Sequence, residues 1–189
     1  MIESESEPML DECPKLIGVD ISVGSSMWAS LDFDVHEHCH KVVGAAVSYV
    51  LNDHNQKSFI EVSLLLANDE HLHDLNKQYR NKDETTNVLS FPFTDASTDE
   101  LAHMAESGKQ LFLGDVAISY ERVAQESLQQ EKPFIEYFTY ILLHGVLHLL
   151  GYDHVKEDEA KLMEKTETKI MKSLGFNNHI VGITENLWF

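Results

Sequence analysis

The sequence is poor in cysteine and contains no long hydrophobic run. Among 189 residues there are two cysteines, Cys13 and Cys39, and one pair is too few for a disulfide framework. The longest apolar run, from Ile141 to Leu150, is interrupted by two histidines and a glycine. It falls well short of the roughly 20 apolar residues that a membrane-spanning helix needs. The first residues are acidic and lack an apolar segment, so no signal peptide is predicted. Together these absences predict a cytoplasmic protein in a reducing compartment.

Basic residues are also scarce. The chain has 14 Lys and Arg against 32 Asp and Glu, a formal net charge of −18. Such a charge argues against a broad basic surface for nucleic acid. The acidic residues are unevenly distributed, because residues 1–40 carry a net charge of −8 whereas residues 41–95 carry only −3. A site for a polyanion is therefore expected in the middle of the chain, or it needs a metal ion to reverse the local charge.

The domain organisation follows from length and composition. Hydrophobic residues make up 43% and charged residues 24% of the chain, which are ordinary values for a globular domain of this length. Residues 1–15 are acidic and lack apolar periodicity, which predicts a flexible leader. Residues 16–176 are expected to form one compact domain, and residues 177–189 a C-terminal tail. No internal repeat or second domain is apparent.

Apolar periodicity predicts four strands and about five helices, an α+β fold or a mixed α/β sandwich. The helix from Phe134 to Leu150 is apolar on nearly every side and should be central and buried. A polar segment, residues 94–110, is predicted to be a long functional or mobile loop, and closure of this loop over a substrate is left open. The remaining predicted strands are 15–23, 58–67, 86–93 and 111–118, and the last of these is interrupted by Gly114 and Asp115. The remaining predicted helices are 35–52, 69–79, 120–130 and 157–174. In the helix at 69–79, the apolar spacing places Leu72, Leu75 and Tyr79 inward.

The strongest chemical signal is a set of three histidines. His144 and His148 are four residues apart in the central helix, so both imidazoles project from one face. Gly151 ends the helix and lets His154 return as a third ligand of one metal ion. Three imidazoles suit zinc first, with nickel or copper as alternatives, and leave a coordination position open, as in catalytic sites. Asp153 could be a fourth ligand or accept a hydrogen bond from a ring N–H.

Three unrelated core histidines are the competing interpretation, but burying two imidazoles without partners in an apolar helix would be costly. The spacing matches the zinc-protease motif His-Glu-x-x-His-x-x-Gly-x-x-His. Gly145, however, stands where the proteases carry their general-base glutamate. The site must then activate water by the metal alone, take a base from elsewhere in the protein, or use one from the substrate.

The histidine cluster resembles that of the YbeY family of metal-dependent endoribonucleases. Two further stretches agree with this resemblance. Leu75–Arg80 (LNKQYR) and Thr86–Pro92 (TNVLSFP) are similar to the family's Leu-Asn…Tyr-Arg…Thr-Asp-Val-Leu-Ser-Phe-Pro signature, and Leu113–Ser119 (LGDVAIS) to its Leu-Gly-Asp-Ile strand. The resemblance covers roughly Leu16 to Phe176. Asn87 departs from it, since the family usually has aspartate there.

The resemblance implies a compact fold with a mixed four-stranded sheet flanked by helices, and one zinc ion on His144, His148 and His154 facing a cleft. It implies ribosomal RNA maturation and ribosome quality control, with single-stranded RNA as the substrate and the small ribosomal subunit and its proteins as partners. Arg80 matches the family's arginine that faces the metal, where it would hold a phosphate. The catalytic residues expected on this basis are Arg80 and the three histidines.

Several other polar residues have simpler interpretations. Lys77, Arg80 and Lys82 form a small basic patch, which is the best candidate for contacts with RNA although three charges are few. Ser90 is interpreted as a strand serine hydrogen-bonded to backbone, and Asp115 as a structural residue beside Gly114. A second histidine group is interpreted as a solvated helix face rather than a metal site, because it lacks a third ligand: His36, His38 and His40.

Two alternative functions remain open at this point. The protein could be chiefly a ribosome-assembly factor in which the metal ion stabilises the fold. It could also be another metal-dependent hydrolase, such as a peptidase or amidase, against which the missing glutamate counts.

Overall fold

The structure, a computed structural model, describes residues 16–51 and 56–176, which form one α+β domain. The predicted leader, the predicted tail and the end of the first predicted helix at residue 52 lie outside the described residues. The strands are β1 (Ile17–Val23), β2 (Ile60–Ala67), β3 (Val88–Pro92) and β4 (Leu111–Ser119). The helices are α1 (Val35–Leu51), α2 (Asp69–Arg80), α3 (Thr98–Glu106), α4 (Tyr120–Gln129), α5 (Phe134–Leu149) and α6 (Glu157–Ser173), with a 3-10 helix at Ser26–Ser30.

The four strands form one mixed sheet in the order β1-β2-β4-β3. The pairs β1/β2 and β2/β4 are parallel, whereas the edge strand β3 is antiparallel to β4. Alternate residues of a strand face opposite sides of the sheet. Accordingly Val88 and Val116 pack into the main core with α1 and α5, while Leu89 and Ala117 pack on the other side against α2. The predicted fold class, α+β with a four-stranded mixed sheet, is confirmed.

Helix α5 lies at the centre of the main core, and nearly all of its residues are buried. It lies unusually close to the sheet, because a Cβ at Gly145 would be 2.8 Å from Cγ1 of Val116 and 3.1 Å from Oγ of Ser90. The hydroxyl of Ser90 donates a hydrogen bond to the Gly145 carbonyl at 3.0 Å, as the sequence predicts for a structural strand serine. Within the described part of the chain, no helix has both the length and the apolar character needed to cross a membrane.

Strand β4 contains a bulge at the position where the sequence predicts an interruption. The pairing with β2 passes from Phe112 directly to Gly114, so that Leu113 is the extra residue. Gly114 has a φ of +136°, and a Cβ there would lie 2.2 Å from the Phe91 carbonyl oxygen. Only glycine fits this close contact between β4 and β3.

The prediction of a loop over residues 94–110 is wrong, because most of this segment is helix α3. Ser97 and Glu100 form a capping box, in which each side chain binds the other's backbone N–H. The helix then buries Leu101, Ala102 and Ala105, and the Ala105 carbonyl accepts hydrogen bonds from two backbone N–H groups that precede β2. The apolar face consists of one leucine and two alanines, which is too weak a pattern to stand out in a polar segment.

Two expected side-chain positions are also wrong. Tyr79 of α2 is 59% exposed and contacts Phe91 edge-on, while Asn76 takes the inward position and donates to the Glu84 carbonyl. His38 of α1 does not lie on a solvated face. Its ring contacts Phe138, and its Nε2 lies 2.7 Å from the Thr139 hydroxyl oxygen.

The hydrogen bonds around His38 define its protonation state. The Thr139 hydroxyl donates to the Ile135 carbonyl at 2.6 Å, so its oxygen accepts from the His38 Nε2–H. Burial, together with the charge of Lys41, lowers the pKa of His38 to about 4. The folded protein therefore keeps this ring neutral over a pH range in which the unfolded chain takes up a proton.

We predict that His38→Gln reduces the acid sensitivity of folding. The folded-state pKa lies below the unfolded value of 6.5, so the stability associated with this ring is complete above pH 6.5 and falls as the pH drops toward 4. Glutamine keeps an N–H donor near Thr139 but does not titrate. Between pH 7 and pH 5, chemical denaturation should show a loss of unfolding free energy smaller by about 1–2 kcal/mol in the variant. Equal losses in both proteins would contradict the assignment.

Candidate metal centre and its cleft

Three histidine side chains from two segments meet at the C-terminal end of α5. The Nε2 atoms of His144 and His148 are 3.1 Å apart, and one ligand atom from each of His144, His148 and His154 lies within 4.8 Å of the others. His144 and His154 are buried, and His148 is partly exposed. The structure thus brings together the three residues that the sequence predicts as metal ligands.

Gly151 allows the chain to return His154 to the centre. Its φ of +83° ends α5 in a left-handed turn, in which the Tyr152 N–H donates to the Leu147 carbonyl at 3.0 Å. The site is also crowded, because a Cβ at Gly151 would lie 2.9 Å from the backbone nitrogen of Thr98. Both the turn and this close contact require glycine.

Two acceptors fix the orientation of the ligand rings. A carboxylate oxygen of Glu167, on α6, lies 2.8 Å from Nδ1 of His144, and the carbonyl oxygen of Tyr152 lies 3.0 Å from Nδ1 of His148. Each acceptor holds the proton on Nδ1, which leaves Nε2 as the lone-pair donor. Asp153, predicted as a fourth ligand or ring acceptor, instead accepts from the backbone N–H of His154 at 2.7 Å.

Sequence reasoning missed Glu167. This residue is 5% exposed, although it belongs to a helix rich in exposed acids. The helical spacing does indicate that Glu167 is buried, since it falls on the same helix face as the apolar residues Met163 and Ile170. Burial raises the pKa of the Tyr140 hydroxyl, and the nearby charge of Glu167 raises it further.

The electrostatics of the centre suit a divalent cation. Burial lowers the pKa of both His144 and His148 to about 3, with further lowering from the neighbouring histidines. The rings are therefore neutral at neutral pH, which is the state that binds metals. Three convergent imidazoles, two of which have their outer nitrogens held by acceptors, fit zinc, nickel or copper.

A cleft of about 480 Å³ opens beside the centre, and His148 and Arg80 both line it. The Nη2 of Arg80 donates a hydrogen bond to the Ser90 carbonyl at 3.1 Å. The Ser90 hydroxyl in turn donates a hydrogen bond to the Gly145 carbonyl of α5. Burial lowers the pKa of the Arg80 guanidinium. These contacts hold the guanidinium in a defined position relative to the helix that carries the histidines.

The two lysines of the predicted basic patch lie outside the cleft lining. Lys77 is exposed, and its Nζ is 3.0 Å from an Asp83 carboxylate oxygen that also lies 2.9 Å from His73. Lys82 follows the end of α2, and its backbone N–H donates to the Asn76 carbonyl. Of the three residues predicted to contact RNA, only Arg80 lines the cleft together with His148.

The glycine in place of the protease glutamate has a structural explanation. Gly145 faces β3 and β4, where a side chain would meet Val116, Ser90 and Val88.

Among residues 16–51 and 56–176, the three histidines are the only group of three or more His, Cys, Asp or Glu residues with converging ligand atoms. His36, His38 and His40 do not form a second one.

Comparisons with known proteins give a consistent result. A family model described as endoribonuclease YbeY matches residues 29–175. The endoribonuclease YbeY of Rhizobium leguminosarum bv. trifolii is 39% identical over 172 residues, covering 88% of this chain and 94% of the relative. That of Agrobacterium fabrum is 37% identical over 171 residues, covering 88% and 96%. That of Magnetococcus marinus is 44% identical over 120 residues, covering 63% and 82%.

A solved structure is similar in fold. The solution structure of a Thermotoga maritima protein matches with a TM-score of 0.51 at 19% sequence identity, covering 82% of this chain and 88% of that one. At this identity the match supports the fold alone.

We predict that Glu167→Gln weakens metal binding without unfolding the protein. The amide keeps the shape and can still accept a hydrogen bond from His144, but it removes the buried negative charge that strengthens the imidazole as a ligand. The dissociation constant for zinc, measured by competition with a chromophoric chelator, should rise about 10- to 100-fold. Glu164→Gln, on the exposed face of α6, is the matched control. Equal affinities in the two variants would exclude the assigned role of Glu167.

We also predict that Gly145→Glu creates no peptidase. The new side chain would clash with β3 and β4 rather than reach the histidines, so the free energy of unfolding should fall by about 1–3 kcal/mol or more from overpacking. Thermal denaturation and a peptide-cleavage assay together check this. A stable variant that hydrolyses peptides would show that position 145 faces the metal ligands.

Proposed function

The chain belongs to the endoribonuclease YbeY family, and from this premise we propose that it is a zinc-dependent endoribonuclease that cleaves single-stranded RNA. We place its activity in ribosomal RNA maturation and ribosome quality control in the cytoplasm, with the small ribosomal subunit as a partner. The observation that carries the proposal is the convergence of His144, His148 and His154 beside a cleft that also holds Arg80.

In this proposal the three histidines hold the metal through Nε2 of His144 and His148 and one ring nitrogen of His154. A zinc ion held there would supply Lewis-acid polarisation of a phosphate oxygen. Glu167 and the Tyr152 carbonyl keep two of the rings in the required tautomer. His148, the partly exposed ligand, connects the buried centre to the cleft that receives RNA.

Arg80 is proposed to bind the scissile phosphate. A guanidinium presents paired N–H donors that match two phosphate oxygens, and Nη2 is already oriented by the Ser90 carbonyl. It would stabilise the negative charge that builds on the phosphate during cleavage. Lys77 and Lys82, near the same end of α2, are proposed to attract the RNA backbone toward the cleft.

We further propose that RNA supplies its own nucleophile. Gly145 leaves the protease base position without a carboxylate, and RNA carries a 2′-hydroxyl next to each phosphodiester. Attack by this oxygen breaks the bond to the 5′-oxygen of the next nucleotide and leaves a 2′,3′-cyclic phosphate and a 5′-hydroxyl end. Products with 5′-phosphate and 3′-hydroxyl ends would contradict this route.

One observation favours a second candidate, an assembly factor in which the metal mainly stabilises the fold. His144 and His154 are only 2% and 4% exposed, and Glu167 ties the centre to α6. In that case a chelator should unfold the protein, and RNA cleavage should be absent in all preparations. Circular dichroism with and without a chelator distinguishes the candidates, because the nuclease proposal expects a folded and inactive metal-free protein.

We predict that His148→Ala abolishes RNA cleavage while the protein remains folded. Removing one ligand should lower the cleavage rate of a single-stranded RNA about 100-fold or more, because the ion loses affinity and position. His36→Ala, an exposed histidine on α1, is the matched control purified in the same way. Cleavage by both variants at the wild-type rate would indicate a contaminating nuclease and contradict the proposal.

We predict that the Arg80→Lys variant still binds zinc but cleaves RNA more slowly than wild type. The lysine keeps one positive charge but not the paired donors, so kcat is expected to fall about 10- to 100-fold. The zinc content should stay unchanged, since the proposed ligands are the three histidines. An unaltered kcat would remove Arg80 from the proposed phosphate site.

A further inference from the structure

The charge of the cleft beside the histidines is not sufficient to explain how it would hold RNA. Among the described residues that line it, Arg80 is the only lysine or arginine, whereas three are acidic: Asp95, Glu100 and Asp153. A divalent ion on the histidines would offset this excess of acid without giving the cleft as a whole a positive charge. Attraction of phosphates to basic side chains supplies most non-specific nucleic-acid binding. A cleft with one such side chain needs contacts of another kind.

Part of the cleft lining is apolar. Four apolar residues contribute to it: Pro92, Ala96, Tyr152 and Val155. Pro92 is exposed, and Val155 is 68% exposed although its side chain is a branched hydrocarbon. Ligand sites combine such apolar surface with a few polar groups that fix the orientation of the ligand. Here the polar group is Arg80, and the apolar surface is available to a flat apolar group such as the face of a base.

Tyr152 is tied to the metal centre through its backbone. Its N–H donates to the Leu147 carbonyl at 3.0 Å, and its carbonyl oxygen lies 3.0 Å from Nδ1 of His148. The residue is half-buried and packs against the main core, so its position relative to His148 is defined. Apart from His148 itself, Tyr152 is the only aromatic residue among the described residues that line the cleft. An aromatic ring that is already ordered loses little conformational freedom when a ligand binds it.

We propose that the Tyr152 ring stacks on an unpaired RNA base next to the phosphate that Arg80 binds. This inference rests on the proposed function, because it assumes that RNA occupies this cleft. Every base has a flat face, so stacking holds a strand without requiring a particular sequence. A base inside a duplex is covered on both faces by its neighbours, whereas an unpaired base can turn out and stack on a protein ring. Tyr152 thereby contributes both affinity and the preference for single-stranded RNA.

The test measures how the zinc-loaded full-length protein binds and cleaves a short unpaired RNA. Tyr152→Leu removes the ring but keeps an apolar side chain, whereas Tyr152→Phe keeps the ring and removes only the hydroxyl. Tyr49, on α1, is 45% exposed and outside the cleft lining, so Tyr49→Leu is the matched control. The Kd is taken from fluorescence anisotropy with a 2′-O-methylated RNA, which lacks the proposed nucleophile, and kcat/KM from the unmodified RNA. Circular dichroism and bound zinc are measured for every variant.

Tyr152→Leu should raise the Kd about 5- to 100-fold and lower kcat/KM by a similar factor, with zinc content unchanged. Tyr152→Phe and Tyr49→Leu should stay within about twofold of wild type, because stacking needs the ring and not the hydroxyl. A Kd for Tyr152→Leu equal to that of wild type would overturn the proposal.

RNAs that lack a single base separate stacking from a change in the shape of the loop. With wild type, an abasic nucleotide at one position should weaken binding by about the same factor as Tyr152→Leu does. With Tyr152→Leu, the same abasic nucleotide should have little further effect, because the contact is already lost. Factors that multiply would assign Tyr152 a purely structural role. If no abasic position weakens binding to wild type, stacking is excluded even where Tyr152→Leu does not fold.

The measurements also separate this proposal from the nuclease proposal. Binding that shows the expected pattern without cleavage by any preparation would support stacking and overturn the nuclease proposal. Cleavage by wild type and Tyr152→Leu with equal Kd and equal kcat/KM would overturn stacking and leave the nuclease proposal standing.

Discussion

The candidate centre depends on a buried hydrogen bond between His144 on α5 and Glu167 on α6. Burial makes an imidazole neutral, but neutrality alone does not decide which nitrogen carries the proton. The Glu167 carboxylate fixes the proton on Nδ1 of His144 by accepting a hydrogen bond from it. The Tyr152 carbonyl does the same for Nδ1 of His148. The two Nε2 atoms then converge, and the turn at Gly151 adds His154. Because Glu167 lies on α6, the packing of α6 against α5 is part of the metal centre.

A second constraint joins the metal centre to the proposed phosphate site. Gly145 lets α5 approach the sheet so closely that its carbonyl accepts the Ser90 hydroxyl, and the backbone carbonyl of Ser90 holds Arg80. One strand residue therefore connects the guanidinium to the helix of the histidines. The same packing explains why no glutamate can occupy position 145. The departure from the protease pattern is thus a consequence of how α5 meets β3 and β4.

Much of this arrangement could be predicted from the sequence, because it follows from local rules. The spacing of His144, His148 and His154 around Gly151 is a helical pattern followed by a glycine stop. The four strands and most helices follow apolar periodicity. Helix α3 was not predicted, since its buried face is small and its capping box lies in a polar segment. Glu167 was hidden among the acids of α6, and only the packing of α6 on α5 shows which one turns inward. The contact of Arg80 with the Ser90 carbonyl likewise depends on tertiary structure.

The net negative charge of the chain is compatible with the proposed binding of RNA in the cleft. A net charge of −18 opposes RNA binding in general, but the cleft needs only a local reversal of charge. Arg80 supplies part of it, and a divalent ion on the histidines would supply the rest. The most direct test is to titrate metal-free protein with zinc while following bound metal and RNA cleavage together. The account predicts that both rise in parallel and level off at one ion per chain. Cleavage by the metal-free protein at the full rate would contradict it.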